Sequence, residues 1–467
     1  MHATTTQAGL TNPSFAQSVE TYLRRMLERI AQEQREPAEP GKGPGAPQKL
    51  PSAALWTGLL LCVLSGVRSW RGVWRYLVWR GYAICDETVY DRLEEEGTVA
   101  LERLFAQISQ MLLAWLSPLV AELCWAPLAP FATAVVALDE TTLDPVARTL
   151  PSLRHFKKGA VELLPGKLAG LFDVRLQLWR RIDYLPNALQ NSKVHARAML
   201  EGLAQGSLVL FDLGYFGFEW LDELTLRKMW WVSRLREKTS YTIIHTSYQS
   251  EDVFDGLVML GTRQARARYA VRLVRWRVGV IWYTYLTNVL EPQTLPLAEI
   301  ARLYARRWDI ELAFLTLKEH LGLHLLWTSK LVSILQQVWA CLIIAQVVQA
   351  LRLEIACGAG VDPFEVSLPL VVQALPPMLA RGEDVVALCV QRGRQLGLIR
   401  PSSRTRLQVP QVAAHDILPR PAGLVLEREP RYPADPGQPG RGRSKRPKAP
   451  PGLPTELTSA FYACLVP

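Results

Sequence analysis

The sequence predicts an α/β fold: a mixed sheet flanked by helices, with a mostly β insertion inside it and a helical N-terminal region before it. Three observations carry this. Two apolar, β-branched runs, TAVVALDETTLD and GSLVLFDLGYFGFEWL, have the pattern of buried strands that end at acids, Asp139 and Asp212. Next, MWWVSRL, SYTIIHTSY and RYAVRLVRWRVGVIWYTYLTN alternate as strands do, across an interval too long for a simple strand-to-helix connection. Finally, LYARRWDIELAFLTLKEHLGL, residues 303–323, repeats its apolar residues at helical spacing.

Taken in order, the chain opens with a polar amphipathic helix, SVETYLRRMLERIAQEQR, and a Pro/Gly-rich linker at 36–51 that cannot hold a helix; together they define a first segment, 1–52. Residues 53–128 are expected to be helical. There, Trp70, Arg71, Trp74, Arg75, Trp79 and Arg80 interleave, and Asp86 can cap a second helix running through Glu95. This suits a helix-turn-helix variant that binds DNA ends, or equally helices packed through tryptophans with snorkelling arginines. The sheet domain is expected over 129–345, with KLAGLFDVRLQLWRRIDYL as one or two strands, SKVHARAMLEGLA as a helix, and the β insertion at about 233–292. A mainly helical region, 346–415, follows, then a Pro-rich tail, 416–467, expected to be disordered; its Arg441, Arg443, Lys445, Arg446 and Lys448 suit non-specific DNA affinity.

Composition narrows the function classes. A net charge of +10 and a pI near 9.3 favour a polyanionic partner and salt-sensitive binding. The seven cysteines are scattered with no C-x-x-C pair, which argues for a reducing compartment rather than a disulfide framework or a zinc site. The start of the chain is polar and has no secretory pattern. LWTGLLLCVLSG is too short to span a bilayer, and ILQQVWACLIIAQVVQALRL is interrupted by Gln336, Gln337, Gln346 and Gln349, so both are expected to be buried helices, with no membrane partner and a cytoplasmic location.

Within 303–323, Tyr304, Arg307, Glu311 and Lys318 stand at offsets of three, seven and fourteen. At about 100° per residue they share an arc of roughly 60°. Leu303, Ile310, Phe314, Leu317 and Leu321 form an apolar stripe beside it, while Asp309, Thr316 and His320 are expected to point away. Asp139, Asp212 and Glu311 would then be three oxygen ligands on separate elements, suited to Mg²⁺ or Mn²⁺. Any one such acid is more simply a cap or turn residue; the set of three is what favours a metal site.

These residues resemble the motifs of the DDE transposases of the insertion sequence 4 family, whose catalytic domain is RNase H-like. The third motif of that family, Y-x-x-R-x-x-x-E-x-x-x-x-x-x-K, is matched by Tyr304, Arg307, Glu311 and Lys318. Asp139-Glu140-Thr141-Thr142 is similar to the first motif and Asp212-Leu213-Gly214-Tyr215 to the second, with Leu213 where a basic residue is usual. The resemblance spans roughly residues 130–345. It implies that Asp139, Asp212 and Glu311 are catalytic and hold two Mg²⁺ ions, with Mn²⁺ able to substitute. It also implies that Tyr304, Arg307 and Lys318 contact DNA, and that two protomers bridge transposon inverted-repeat ends and target DNA as a homodimer. The implied activity is cut-and-paste transposition. The alternatives are a decayed copy that acts as a DNA-binding regulator, and an RNase H-like nuclease without strand transfer.

Other constellations are weaker. Arg266, Arg268 and Arg272 share one strand face and Arg263, Arg275 and Arg277 the other, so a single basic face needs a bulge between Arg272 and Arg275. His320 and His324 have zinc-compatible spacing but lack the intervening glutamate of a metalloprotease, and are expected to face solvent. Glu140 and Asp144 could add to metal binding but are expected to be local helix or turn residues, and Trp308 a rim aromatic that could alternatively stack on a base. No nucleophile elbow and no Gly-rich phosphate loop is present.

Overall fold

A computed structural model describes residues 49–122, 128–143, 165–402 and 409–432. The N-terminal amphipathic helix, Asp144 and the basic cluster at 441–448 lie outside them. The described residues divide into two compact units, one formed by those up to 122 with 316–402, the other by 128–315 with 409–432.

The second unit is built on a nine-stranded sheet. Its strands are β1 (Val135–Thr142), β2 (Lys167–Asp173), β3 (Leu178–Leu185), β4 (Leu208–Phe211), β5 (Trp230–Arg234), β6 (Tyr241–Gln249), β7 (Val253–Gly261), β8 (Arg266–Val278) and β9 (Ile281–Thr287). Their order is β3-β2-β1-β4-β5-β9-β8-β7-β6. β1 pairs antiparallel with β2 and parallel with β4, and β4 pairs parallel with β5. This five-stranded half is the RNase H-like arrangement; β6 to β9 extend it as an antiparallel meander, the β insertion the alternation predicted. β2 is buried on both faces, which explains why KLAGLFD lacks alternation.

Helices α5 (Ser192–Met199) and α6 (Phe218–Leu226) pack Met199, Trp220 and Leu224 into the sheet core with Phe211 and Trp231. α7 (Leu297–Arg306) and α8 (Trp308–Leu315) follow β9. Residues 424–432, expected within a disordered tail, instead lie along β8. Arg431 bridges Arg266, Glu427 bridges Tyr269, and the Tyr432 hydroxyl donates to Asp222 at 2.9 Å. A proline-rich segment needs no sheet of its own when an exposed strand edge offers partners for its backbone.

The first unit is helical: α1 (Ser52–Leu64), α2 (Trp70–Trp79), α3 (Asp86–Glu96), α4 (Val99–Glu122), α9 (Leu331–Ala359), α10 (Leu368–Ala380) and α11 (Val385–Arg392). At its centre α9 is long and apolar enough to cross a membrane, yet 78% of its most apolar window is buried inside this unit. Its glutamines explain why. Gln336 donates to the carbonyls of Leu93 and Gly97, Gln337 to that of Leu325, and Gln346 to the Ser109 hydroxyl. The amide nitrogens of these three side chains are bonded, which makes their burial tolerable although the Gln336 oxygen has no well-formed hydrogen bond.

Candidate active site

Asp139 and Asp212 leave adjacent parallel strands at the same level, since Leu138 pairs with Phe211. β1 runs on through Thr142, so Asp139 sits within a strand rather than at its end. Asp212 does follow the last residue of its strand, and caps a short 3₁₀ turn with its Oδ1 accepting the Gly214 N–H at 2.8 Å.

Glu311 comes from α8, docked on the same part of the sheet. Phe314 packs against Trp179 at 4.8 Å between ring centroids, over Gly170, which is the register partner of Asp139. On the other flank Gln177 donates to Asp309 at 2.7 Å, and Arg306 pairs with the same carboxylate at 2.6 Å. Asp309 and Thr316, expected to point away, are therefore buried. The sequence pattern misplaced them because 303–323 is not one ideal helix. The chain turns at Arg307 and passes into a π-helical turn, Thr316–His320, and each irregularity rotates the next residues about the axis. Lys318 lies in that π turn. His320 and His324 are half-buried rather than solvent-facing; burial lowers the His320 pKa, and the His324 ring bonds the Lys318 carbonyl at 2.6 Å.

Arg307 joins two of the acids. Its side chain is 6% exposed, with Nη2 donating to Glu311 Oε1 at 2.7 Å and Nη1 3.5 Å from Asp139 Oδ2. The guanidinium also lies over the rings of Trp308 and Tyr304, at 4.9 and 5.7 Å from their centroids. Trp308 is 54% exposed, more open than a rim aromatic, whereas Tyr304 is buried against Tyr285. Burial pushes the Asp139 carboxyl up to about 6; the Glu140 N–H and Arg307 pull it down, and the charges of Asp212 and Glu311 push it up again. Desolvation is the largest of these effects, so the charged form of Asp139 is held at a cost that one arginine at 3.5 Å does not remove.

Three carboxylates offering only oxygen are the donor chemistry that Mg²⁺ and Mn²⁺ take. Among the described residues no three His, Cys, Asp or Glu side chains converge closely enough to chelate an ion as they stand. Arg307 holds the space between Asp139 and Glu311, as a monovalent counter-charge.

The sequence pattern gave no sign of the network behind Asp139. Glu140 is not a turn residue: it pairs with the buried Lys167 at 2.5 Å and accepts from the Ser192 hydroxyl at 2.6 Å. The Tyr215 hydroxyl is buried without a well-formed hydrogen bond; burial, then the charges of Glu140, Asp139 and Asp212, raise its pKa and keep it protonated. A lysine opening a strand that is apolar up to its last residue, KLAGLFD, was the signal available. Arg236 was missed too. It is exposed and donates to the carbonyls of Leu213 and Phe216, at 3.1 and 3.4 Å, putting a cation on the loop where Leu213 replaces the usual base.

The insertion does not form one basic face. No register shift falls between Arg272 and Arg275, and Arg272 is buried with Asp255 at 2.7 and 2.6 Å. Arg277 pairs with Asp252 and Glu251, and Arg268 with Glu427.

Residues 167–347 match the family model described as Transposase DDE domain. The match begins at β2, so Asp139 falls outside it and enters the site through the β1 register and Arg307 alone. No curated protein sequence matches the chain. Among solved structures, one similar chain comes from the "Cryo-EM structure of piggyBac transposase synaptic complex with hairpin DNA (SNHP)", with 8% identity, 85% of each chain covered and a TM-score of 0.39. A likeness at that score carries no weight for function.

Proposed function

We propose that the chain is a DNA transposase of the insertion sequence 4 type, which cleaves transposon ends and joins the freed 3′-hydroxyl to target DNA. The observation that carries the reading is the convergence of the Asp139, Arg307 and Glu311 side chains beside Asp212, within and next to a segment that matches a transposase DDE domain.

Asp139, Asp212 and Glu311 would hold two Mg²⁺ ions, for which Mn²⁺ would substitute. The chemistry such ions would supply is a lowered pKa for an attacking water and stabilisation of the leaving oxygen of a phosphodiester. The chain's own part is positional. β1 and β4 fix two acids at one level, and the Trp179–Phe314 contact fixes the helix that bears the third. Burial keeps water away from Asp139 and strengthens its interaction with any cation brought to it. Arg307 spans Asp139 and Glu311, and its five donors would suit a scissile phosphate. Lys318 would add a second phosphate contact, Tyr304, expected to touch DNA but buried, would act by orienting Arg307, and Trp308 is open enough to stack on a displaced base. The partners would be double-stranded inverted-repeat ends and target DNA, bridged by a homodimer in a cytoplasmic, nucleoid-associated complex.

Glu311→Gln is the direct test. Cleavage of repeat-bearing DNA should vanish while binding stays within a few-fold of wild type. Equal loss of both would argue against a metal role for Glu311. A wild type that binds but cuts in neither Mg²⁺ nor Mn²⁺ would point to a regulator, and one that cuts without joining to a nuclease.

A further inference from the structure

Helix α2 divides its aromatic and basic residues between two faces. Trp70, Val73 and Leu77 are buried, Trp70 packing edge-on against Trp327, and the Trp74 indole donates to the Ile84 carbonyl, fixing the turn into α3. The other face carries Arg71, Arg75, Val78 and Trp79, all exposed, with Arg80 as C-cap. Trp79 is 89% exposed and Val78 42%. Arg75 forms no ion pair among the described residues, and Arg71 meets only Asp86, at 3.7 Å. The side chain of Ser69 accepts the Gly72 N–H and holds the helix start.

The neighbouring helix has the opposite charge. α3, DETVYDRLEEE, holds six acids and one arginine, and Glu87, Asp91, Glu94 and Glu95 are exposed. In a helix-turn-helix the second helix enters the DNA groove; here that helix would bring carboxylates to phosphates.

We infer that the outer face of α2, and not α3, contacts duplex DNA, with Arg71 and Arg75 on backbone phosphates and the Trp79 ring against the adjoining sugars. This rests on the transposase reading for its choice of polyanion. Charge complementarity selects the occupant: an acid-free helix with two exposed arginines, and a third at its end, flanks a large exposed apolar ring. Backbone contact of this kind fixes register without reading sequence.

The test is fluorescence anisotropy of the full chain with a fluorescein-labelled mixed-sequence duplex, titrated with salt. Two lost phosphate contacts should lower the log–log salt slope by about 1.8, and weaken binding at about 0.1 M salt by roughly 60-fold relative to its value at 1 M. Arg71→Ala with Arg75→Ala should show this, with unchanged circular dichroism and thermal midpoint. The paired lysine replacements should retain most of the binding. Trp79→Ala should weaken binding with no change in slope, and Asp91→Asn with Glu94→Gln should leave it unchanged or tighter. Wild-type affinity and slope in the double alanine variant would overturn the inference even if the enzyme cuts DNA. Conversely, a chain whose binding falls in that variant, yet which never cuts, would leave this surface standing and remove the transposase reading.

Discussion

Asp139→Asn should make the metal-free protein more stable while abolishing cleavage. The carboxyl is held at about 6 against an ordinary 3.8, because burial and the charges of Asp212 and Glu311 outweigh Arg307 and the Glu140 N–H. A difference of that size corresponds to roughly 3 kcal/mol against the ionised form. Asparagine keeps an oxygen for the Glu140 N–H, and the 3.5 Å contact with Arg307 that it gives up is already counted in that balance. A gain of about 3 kcal/mol follows, or roughly 6–12 °C in Tm for a unit of this size. The sign follows from linkage: a raised carboxyl pKa costs the wild type nothing below 3.8 and its full penalty above about 6. The gain in the variant should therefore be complete at pH 8, shrink through the pH 6 to 4 window, and disappear below it. Thermal unfolding in EDTA at several pH values measures this. Adding Mn²⁺ should then raise the wild-type Tm and leave the variant nearly unmoved. A variant that is less stable at pH 8, or whose gain ignores pH, would show that Arg307 already neutralises Asp139 and that the site has no surplus charge for a metal to meet.

Further expectations concern the scaffold. Arg272→Ala leaves Asp255 buried and unpaired, so it should cost about 3–5 kcal/mol in urea unfolding, while replacing both residues by apolar ones should recover most of it. Gly170→Ala would put a Cβ 2.6 Å from Trp179 and 3.0 Å from Phe314, lifting α8 off the sheet. Its stability loss should be about 1–3 kcal/mol, with cleavage falling much further than DNA binding; unimpaired cleavage would mean that Glu311 does not depend on this contact. In the helical unit, burial and then Asp384 push Glu354 up to about 7 from 4.5, and its Oε2 is buried with no partner. Glu354→Gln should stabilise that unit at pH 8, by up to about 3 kcal/mol, and the difference should fade as pH drops through 7 towards 4.5.

The features legible in the sequence were those set by short-range pattern. Alternation and β-branching located β1, β4, β5, β8 and β9, and the helical spacing within Tyr304–Glu311 foretold that Arg307 would lie beside Glu311. The misreadings have a common physical origin, in partners distant along the chain. Asp309 looked solvent-facing because Gln177, which satisfies it, is 132 residues away. Glu140 looked like a turn residue because Lys167 and Ser192 lie on other elements. Arg272 looked like one of several arginines on a strand face, and its buried partner Asp255 lies on a neighbouring strand. Helical periodicity assumed a constant twist, and the turn at Arg307 and the π turn at Thr316–His320 broke it.

The most direct measurement of the central claim is a joining assay. Wild type and Glu311→Gln would be given DNA ends bearing the repeats that flank the coding region, together with a supercoiled target plasmid and Mg²⁺. The account predicts covalently joined end–plasmid products with the wild type, absent in the variant although both bind the ends. Joined products of equal yield from the variant would contradict it, and so would wild-type cutting that never yields a joined strand.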